Sequence, residues 1–183
     1  MLYLVSDLHL LESGTILSFY GPDFFMSDEA YEFYVLNRWR SKIKEDDTVI
    51  VVGDAGHPFK YKDLPGHKIL VRGNHDVYAH EYYSVFEKVV DHIYLNVEGV
   101  RVVIEHIYHS TDIEADIRIC GHSHNVSCYR YTTPEQTIVY VIINLLGYEP
   151  RTLSELLDGK YHNWTYELMQ LRELIMAGGE DDS

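Results

Sequence analysis

Five short apolar runs in this chain each end on residues that can hold a metal or move a proton, and that repetition constrains the fold more than any other feature. After Leu2 to Val5 comes "SDLH", after Val49 to Val52 "GD", and after Ile69 to Val71 "RGNHD"; Val100 to Ile104 leads into Glu105 and His106, and Ile117 to Cys120 into "GHSH". Runs of this length, rich in Val and Ile, read as strands, and Ile138 to Ile143 is a sixth. Asp, Asn and His cost stability when buried, so crowding them at strand ends needs a return in chemistry. In open α/β sheets, ligands bind beyond the carboxyl ends of the strands, so these residues are expected to converge in space although they lie far apart in sequence.

The intervening segments fit an α/β class. Ser27 can cap a helix in which Asp28 and Glu29 suit the N-terminus and Tyr31, Val35, Trp39 and Ile43 share a face. A second helix is expected from about Tyr161 to Ala177, with Trp164, Leu168, Leu171 and Ile175 inward. At 183 residues, without repeats or a long linker, the chain reads as one domain over 1–177, followed by an acidic, disordered tail from Gly178 to Ser183. Leu10 to Phe25 is long enough to form a lid and is the first place to expect substrate contacts outside the strand-end residues.

Charge and composition remove several classes. A formal net charge of -14 opposes sequence-independent binding to a nucleic-acid backbone. Bound divalent metal would reverse that sign locally. No run approaches the roughly 20 apolar residues of a membrane helix. Asp7 and His9 fall where a signal peptide would be apolar, so the expected location is the cytoplasm, with no membrane partner. Cys120 and Cys128 form neither a disulfide framework nor a four-thiolate zinc site, and read as free buried thiols. Oligomeric state leaves no trace in the pattern.

Taken singly, the Asp7–His9 pair and the "GD" read as ordinary turn polarity; "GHSH" and above all "GNHD" are more specific. In this order, "DLH", "GD", "RGNHD", a strand-terminal His and "GHSH" resemble the calcineurin-like metallophosphoesterase superfamily over about Met1 to Asn125. The later "INLLGYEPRTLSEL" is similar to the C-terminal part of a small bacterial and phage branch of predicted phosphoesterases. The resemblance implies a central β-sandwich flanked by helices, with the active site at the carboxyl ends of the strands. It also implies two divalent ions, one held by Asp7, His9 and His124, the other by Asn74, His106 and His122, with Asp54 bridging both. Imidazole, carboxylate and amide donors suit Mn²⁺, Fe²⁺, Ni²⁺ or Zn²⁺, and manganese is the expected ion. A water bridging the ions would attack phosphorus in line. The resemblance gives His75 the leaving oxygen and gives Asp76 the task of hydrogen-bonding and orienting His75.

The segment "IEHIYHS" departs from the branch pattern. His106 is the chosen ligand because it ends the apolar run, His109 is the alternative, and Glu105 adds a negative charge without an evident role. Arg72, His57 and Asn125 are candidate substrate contacts; a strand-end arginine such as Arg72 more often reads as half of a surface or structural ion pair, and the other two read equally as loop polarity. Protein phosphatases of the superfamily carry an arginine shortly after "GD", which "GDAGHPFKYKD" lacks. The expected activity is therefore a phosphodiesterase acting on a small, nucleotide-like phosphoester. The alternatives are a nuclease on short single-stranded nucleic acid and a non-catalytic protein-interaction module; relatives of the latter sort lack the histidine that stands here as His75.

Overall fold

Leu4 alternates with Tyr3 and Val5, and Ile50 and Val52 with Val49 and Val51, so the first strands carry two apolar faces, and the fold uses both. A computed structural model describes residues 1–12, 14, 25–160 and 162–177. Strands β1 (Leu2–Val5), β2 (Thr48–Val52), β3 (His67–Val71) and β4 (Lys88–Val90) run parallel. In the second sheet lie β5 (His92–Val97), β6 (Val100–Glu105), β7 (Ile117–Cys120), β8 (Arg130–Thr132) and β9 (Thr137–Tyr140). Its order is β5-β6-β7-β9-β8, parallel in the middle with an antiparallel strand at each edge. A two-residue strand, β10 (Arg151–Thr152), lies antiparallel against β1.

Leu4, Ile50, Val52 and Val71 face Val102, Ile104, Ile119 and Val139 across the two sheets and form the sandwich core. On the outer face of the first sheet, Tyr3, Val5, Val49, Val51 and Leu70 are covered by Tyr31, Val35, Leu36 and Trp39 of helix α1 (Asp28–Lys42). Each such side chain contributes about 1.5–3 kcal/mol when removed from water. Ser27 caps α1 by accepting the Ala30 N–H at 3.2 Å, with Asp28 and Glu29 in the first turn and Arg40 and Lys42 in the last, as the helix dipole favours. The short helices α2 (Ala79–Tyr82) and α3 (Leu153–Leu157) and the longer α4 (Trp164–Ala177) complete the described elements.

The architecture is the expected α/β sandwich, with instructive differences. The sixth apolar run leaves its ladder at Tyr140. Beyond it, the Val141 carbonyl accepts the Ser6 N–H at 2.7 Å, and the Ile143 N–H donates to the Ser6 carbonyl at 3.1 Å. These bonds tie the carboxyl end of β1 to the second sheet. In α4, Trp164 is buried and Leu168 packs on the core, but Leu171 is 54% exposed rather than inward, and the side chain of Ile175 lies outside the described residues. Cys120 is buried and Cys128 half-buried, both as free thiols. Among the described residues, no helix is long and apolar enough to cross a membrane. The acidic tail 178–183 and most of the expected lid, Leu10 to Phe25, lie outside the described residues.

Candidate metal centre

Beyond the strand ends, the backbone takes conformations that L side chains avoid. Asp7 (φ 57°), His9 (φ 45°), Asp54 (φ 50°) and His122 (φ 66°) all lie in the left-handed region, each at a cost of roughly 1 kcal/mol or more. Close packing accompanies this strain. A Cβ on Gly121 would lie 2.5 Å from Asp7 Oδ2 and 2.7 Å from Ser6 Oγ, and one on Gly53 would strike the His106 ring. The Asp7 carboxylate accepts the Ser6 hydroxyl at 2.5 Å and the backbone N–H of His122 at 3.0 Å, so a side chain after β1 is held by the loop after β7.

Three groups of donors result, Asp7, His9 and His124 in the first, Asp54, His106 and His122 in the second, and His9, Glu12 and His75 in the third, each with its ligand atoms within 4.8 Å of one another. His124 Nε2 lies 3.2 Å from Asp7 Oδ1 and 3.4 Å from His9 Nε2. Asn74 Oδ1 joins the second group 3.0 Å from His106 Nε2. Asp54 Oδ2 stands between the first and second groups, 3.3 Å from His106 Nε2 and 3.8 Å from His9 Nε2. The structure thus brings all seven candidate ligands into one array. His109 is not among them: its ring packs on Tyr108 and lies 3.5 Å from the Gln136 amide nitrogen.

The donor set fits metal ions. His106 Nδ1 lies 2.9 Å from the Val52 carbonyl and so donates its proton there, turning the Nε2 lone pair toward the oxygens of Asn74 and Asp54. His9 Nδ1 is likewise committed to Glu12 Oε2 at 2.8 Å, which aims Nε2 at Asp7, Asp54 and His124. Lone pairs converging in this way repel unless a proton or a cation lies between them. The electrostatics show the same demand. Burial would raise the Asp54 carboxyl, yet the hydrogen bond and charge of His106 and the His75 N–H hold it down at about 2. Burial lowers His106 and His9, but carboxylates overcome it and raise both: Asp54 and Asp7 for His106, with Glu12 leading for His9.

Beside this array stands His75, half exposed. Its N–H donates to Asp54 Oδ1 at 2.9 Å, its ring meets His9 edge-on at 5.2 Å, and its Nδ1 lies 3.4 Å from Glu12 Oε2. Asp76 does not bond to His75, contrary to expectation. Its carboxylate accepts the N–H groups of Gly73 (2.7 Å), Ala55 (2.9 Å) and Asp54 (3.0 Å) and the Tyr82 hydroxyl (3.0 Å). It fastens the "GD" loop to the "GNHD" loop. Burial pushes its carboxyl above the ordinary value, against the pull of those N–H groups. The carboxylate facing His75 is Glu12, which sequence reasoning passed over; its position three residues after His9 was the available signal.

Glu105, at the end of β6, is spoken for: Arg118, Ser110, Thr111 and the His109 N–H all bond it. Arg72 makes an exposed ion pair with Asp91. Arg72 and Asp91 also line a cavity of about 550 Å³ beside Asn74 and His106, with His92 and Ile107. His57 caps the 3-10 turn Pro58–Tyr61, accepting the Phe59 N–H at 3.2 Å, and packs on Tyr78. Asn125 is exposed.

Residues 1–144 match the model of the calcineurin-like phosphoesterase superfamily domain. Among solved structures, a protein of unknown function from Aquifex aeolicus is 22% identical, with a TM-score of 0.64 over 82% of this chain and 94% of that one. A novel archaeal phosphodiesterase is 17% identical, with a TM-score of 0.49 over 76% of this chain and 81% of that one. A single mutant of Vps29 from Entamoeba histolytica is 13% identical, with a TM-score of 0.45 over 76% and 72%. No curated protein matches the chain.

Proposed function

The chain belongs to the calcineurin-like phosphoesterase superfamily, and from that premise we propose that it is a dinuclear metal-dependent phosphodiesterase acting on a small, nucleotide-like phosphoester. The observation that carries this reading is the Asp54 carboxylate standing between two imidazole groups, 3.3 Å from one and 3.8 Å from the other. Asp7, His9 and His124 would hold one ion and Asn74, His106 and His122 the second, with Asp54 shared. When bound, the ions supply Lewis acidity and lower the pKa of an attacking water.

The remaining steps fall to the protein. Asp7 and Asp54 return two negative charges against four positive ones, leaving a pocket that draws phosphate into an acidic molecule. His75 reaches the leaving oxygen: the P–O bond breaks toward that oxygen, which takes the proton from the imidazole nitrogen facing away from Glu12. The 550 Å³ cavity beside Asn74 and His106 has room for an organic group that stays on phosphorus, which favours a diester over a monoester. The net charge of -14 favours a small substrate over a long polyanion. The nitrogen and oxygen donors suit Mn²⁺, Fe²⁺, Ni²⁺ or Zn²⁺, and manganese is the ion proposed for the first test.

The test is hydrolysis of a chromogenic phosphodiester and the matching monoester by metal-stripped protein resupplied with Mn²⁺, with Asp54→Ala alongside. Metal-dependent turnover that favours the diester and vanishes in the variant is the expected result. No turnover of either ester with Mn²⁺, Ni²⁺, Fe²⁺ or Zn²⁺ would overturn the reading and move the chain toward a role in protein interaction.

A further inference from the structure

Glu12 sits at the end of a turn that the fold fixes from several sides. Its own N–H donates to the His9 carbonyl at 3.1 Å, and Leu11 adopts φ 63°. The Leu11 N–H is bound by Glu32 of α1 at 2.5 Å, and Glu32 is held in turn by Lys60 at 2.6 Å. Leu10 pairs with the loop after β2, donating to the Ala55 carbonyl at 3.2 Å and accepting the His57 N–H at 2.7 Å. A carboxylate on such a turn does not wander, and one of its oxygens, Oε2, faces two imidazoles at once. It lies 2.8 Å from His9 Nδ1 and 3.4 Å from His75 Nδ1.

We propose that Glu12 is a positioning residue that couples the two halves of the site, fixing the ring of the ligand His9 and the ring of His75 with one carboxylate oxygen. The proposal rests on the phosphodiesterase reading for the role of His75. Binding His9 through Nδ1 keeps the proton on that nitrogen and leaves the Nε2 lone pair for the ion. Facing His75 Nδ1 anchors the second ring in a different way: Nδ1–H turns toward the carboxylate, and Nε2–H, which carries the proton that the leaving oxygen takes, turns outward. Substitution should therefore loosen metal binding and leaving-group assistance together. This is the work that sequence adjacency had suggested for Asp76, whose oxygens are taken up by backbone N–H groups and Tyr82.

The experiment compares wild type with Glu12→Gln and Glu12→Ala, folding being checked by circular dichroism. Long-range ¹H–¹⁵N imidazole spectra of the metal-free protein read the rings directly: the expected result is a proton held on Nδ1 of both His9 and His75 in wild type, with His9 shifting toward the Nε2–H form and the Nδ1 proton of His75 no longer held in Glu12→Ala. Mn²⁺ calorimetry should show one of two binding events weakened about 10–100-fold in Glu12→Ala and less in Glu12→Gln. Across aryl phosphodiesters of rising leaving-group pKa, Glu12→Ala should lose more on the phenyl than on the 4-nitrophenyl ester. Unchanged tautomers, unchanged Mn²⁺ affinity, or an equal loss on every ester would each overturn the proposal. An inactive wild type would count against the phosphodiesterase reading alone, since the spectra and the calorimetry still decide whether Glu12 holds both rings.

Discussion

Asp54 and Glu105 are both buried carboxylates near the ends of strands, one 3.3 Å from the His106 ring and the other next to His106 in the chain, and their surroundings could hardly differ more. Glu105 is neutralised by the chain itself: Arg118 bonds it at 2.5 Å, and two hydroxyls and two backbone N–H groups take its remaining lone pairs. Asp54 has the His75 N–H and two imidazoles, and among the described residues no lysine or arginine reaches it. Burial disfavours charge in both, yet both carboxyls are lowered, Glu105 by Arg118 and Asp54 by His106. A charge the fold needs for its own sake is closed off within the fold. A charge left among groups that can lose a proton is left for something that comes and goes.

The largest effect that would sharpen this contrast is catalytic. Asp54→Asn should lower diester turnover by about 10³-fold or more, roughly 4 kcal/mol of barrier, measured with saturating Mn²⁺. Its metal-free stability should change less than that of an Arg118 variant. Arg118→Met should destabilise the protein by about 3–5 kcal/mol in urea unfolding, because it strands Glu105 in the interior. The double replacement Glu105→Leu with Arg118→Met should recover much of that loss; if it does not, Glu105 does more than balance Arg118.

The two regions should also part company with pH. Glu105 is lowered from 4.5, so its contribution is present above that value and is lost as pH falls through its folded pKa. His106 is raised from 6.5, so its contribution is complete below that value and is lost as pH rises through its folded pKa. Metal-free protein should therefore be most stable between about pH 4.5 and 6.5. Excess Mn²⁺, which binds neutral imidazole, should abolish the alkaline decline, and urea melts at pH 4, 6 and 8 with and without the ion check both arms. The smallest expected effect is at Arg72, whose exposed pair with Asp91 is worth under about 1 kcal/mol. A rise in KM for Arg72→Ala with unchanged stability would make it a substrate contact.

The strand ends were legible because an apolar run that stops at Asp, Asn or His is a one-dimensional signal. The antiparallel strand β5 was not, since its half-exposed alternation carries little burial, though Glu98 (φ 52°) and Gly99 (φ 89°) mark the tight turn into β6. Asp76 misled because adjacency in sequence says nothing of where a carboxylate points; three backbone donors from two loops outbid the neighbouring ring. Glu12 was hidden for the complementary reason. Its reach to His9 and His75 depends on a left-handed residue, Leu11, that no propensity anticipates.

The bonds that join Ser6 to Val141 and Ile143, and the Asp7 carboxylate that takes the His122 N–H from 115 residues away, give the site a place in time as well as in space. Closing so long a loop carries an entropic cost that short-range contacts do not share, so this corner should assemble late, after each sheet has formed. A ribosome must release nearly the whole matched region before the first and last donors can meet. An ion that binds here then arrives after the folding barrier has been crossed. It should leave the refolding rate almost untouched and slow unfolding instead, acting as a latch on a finished protein.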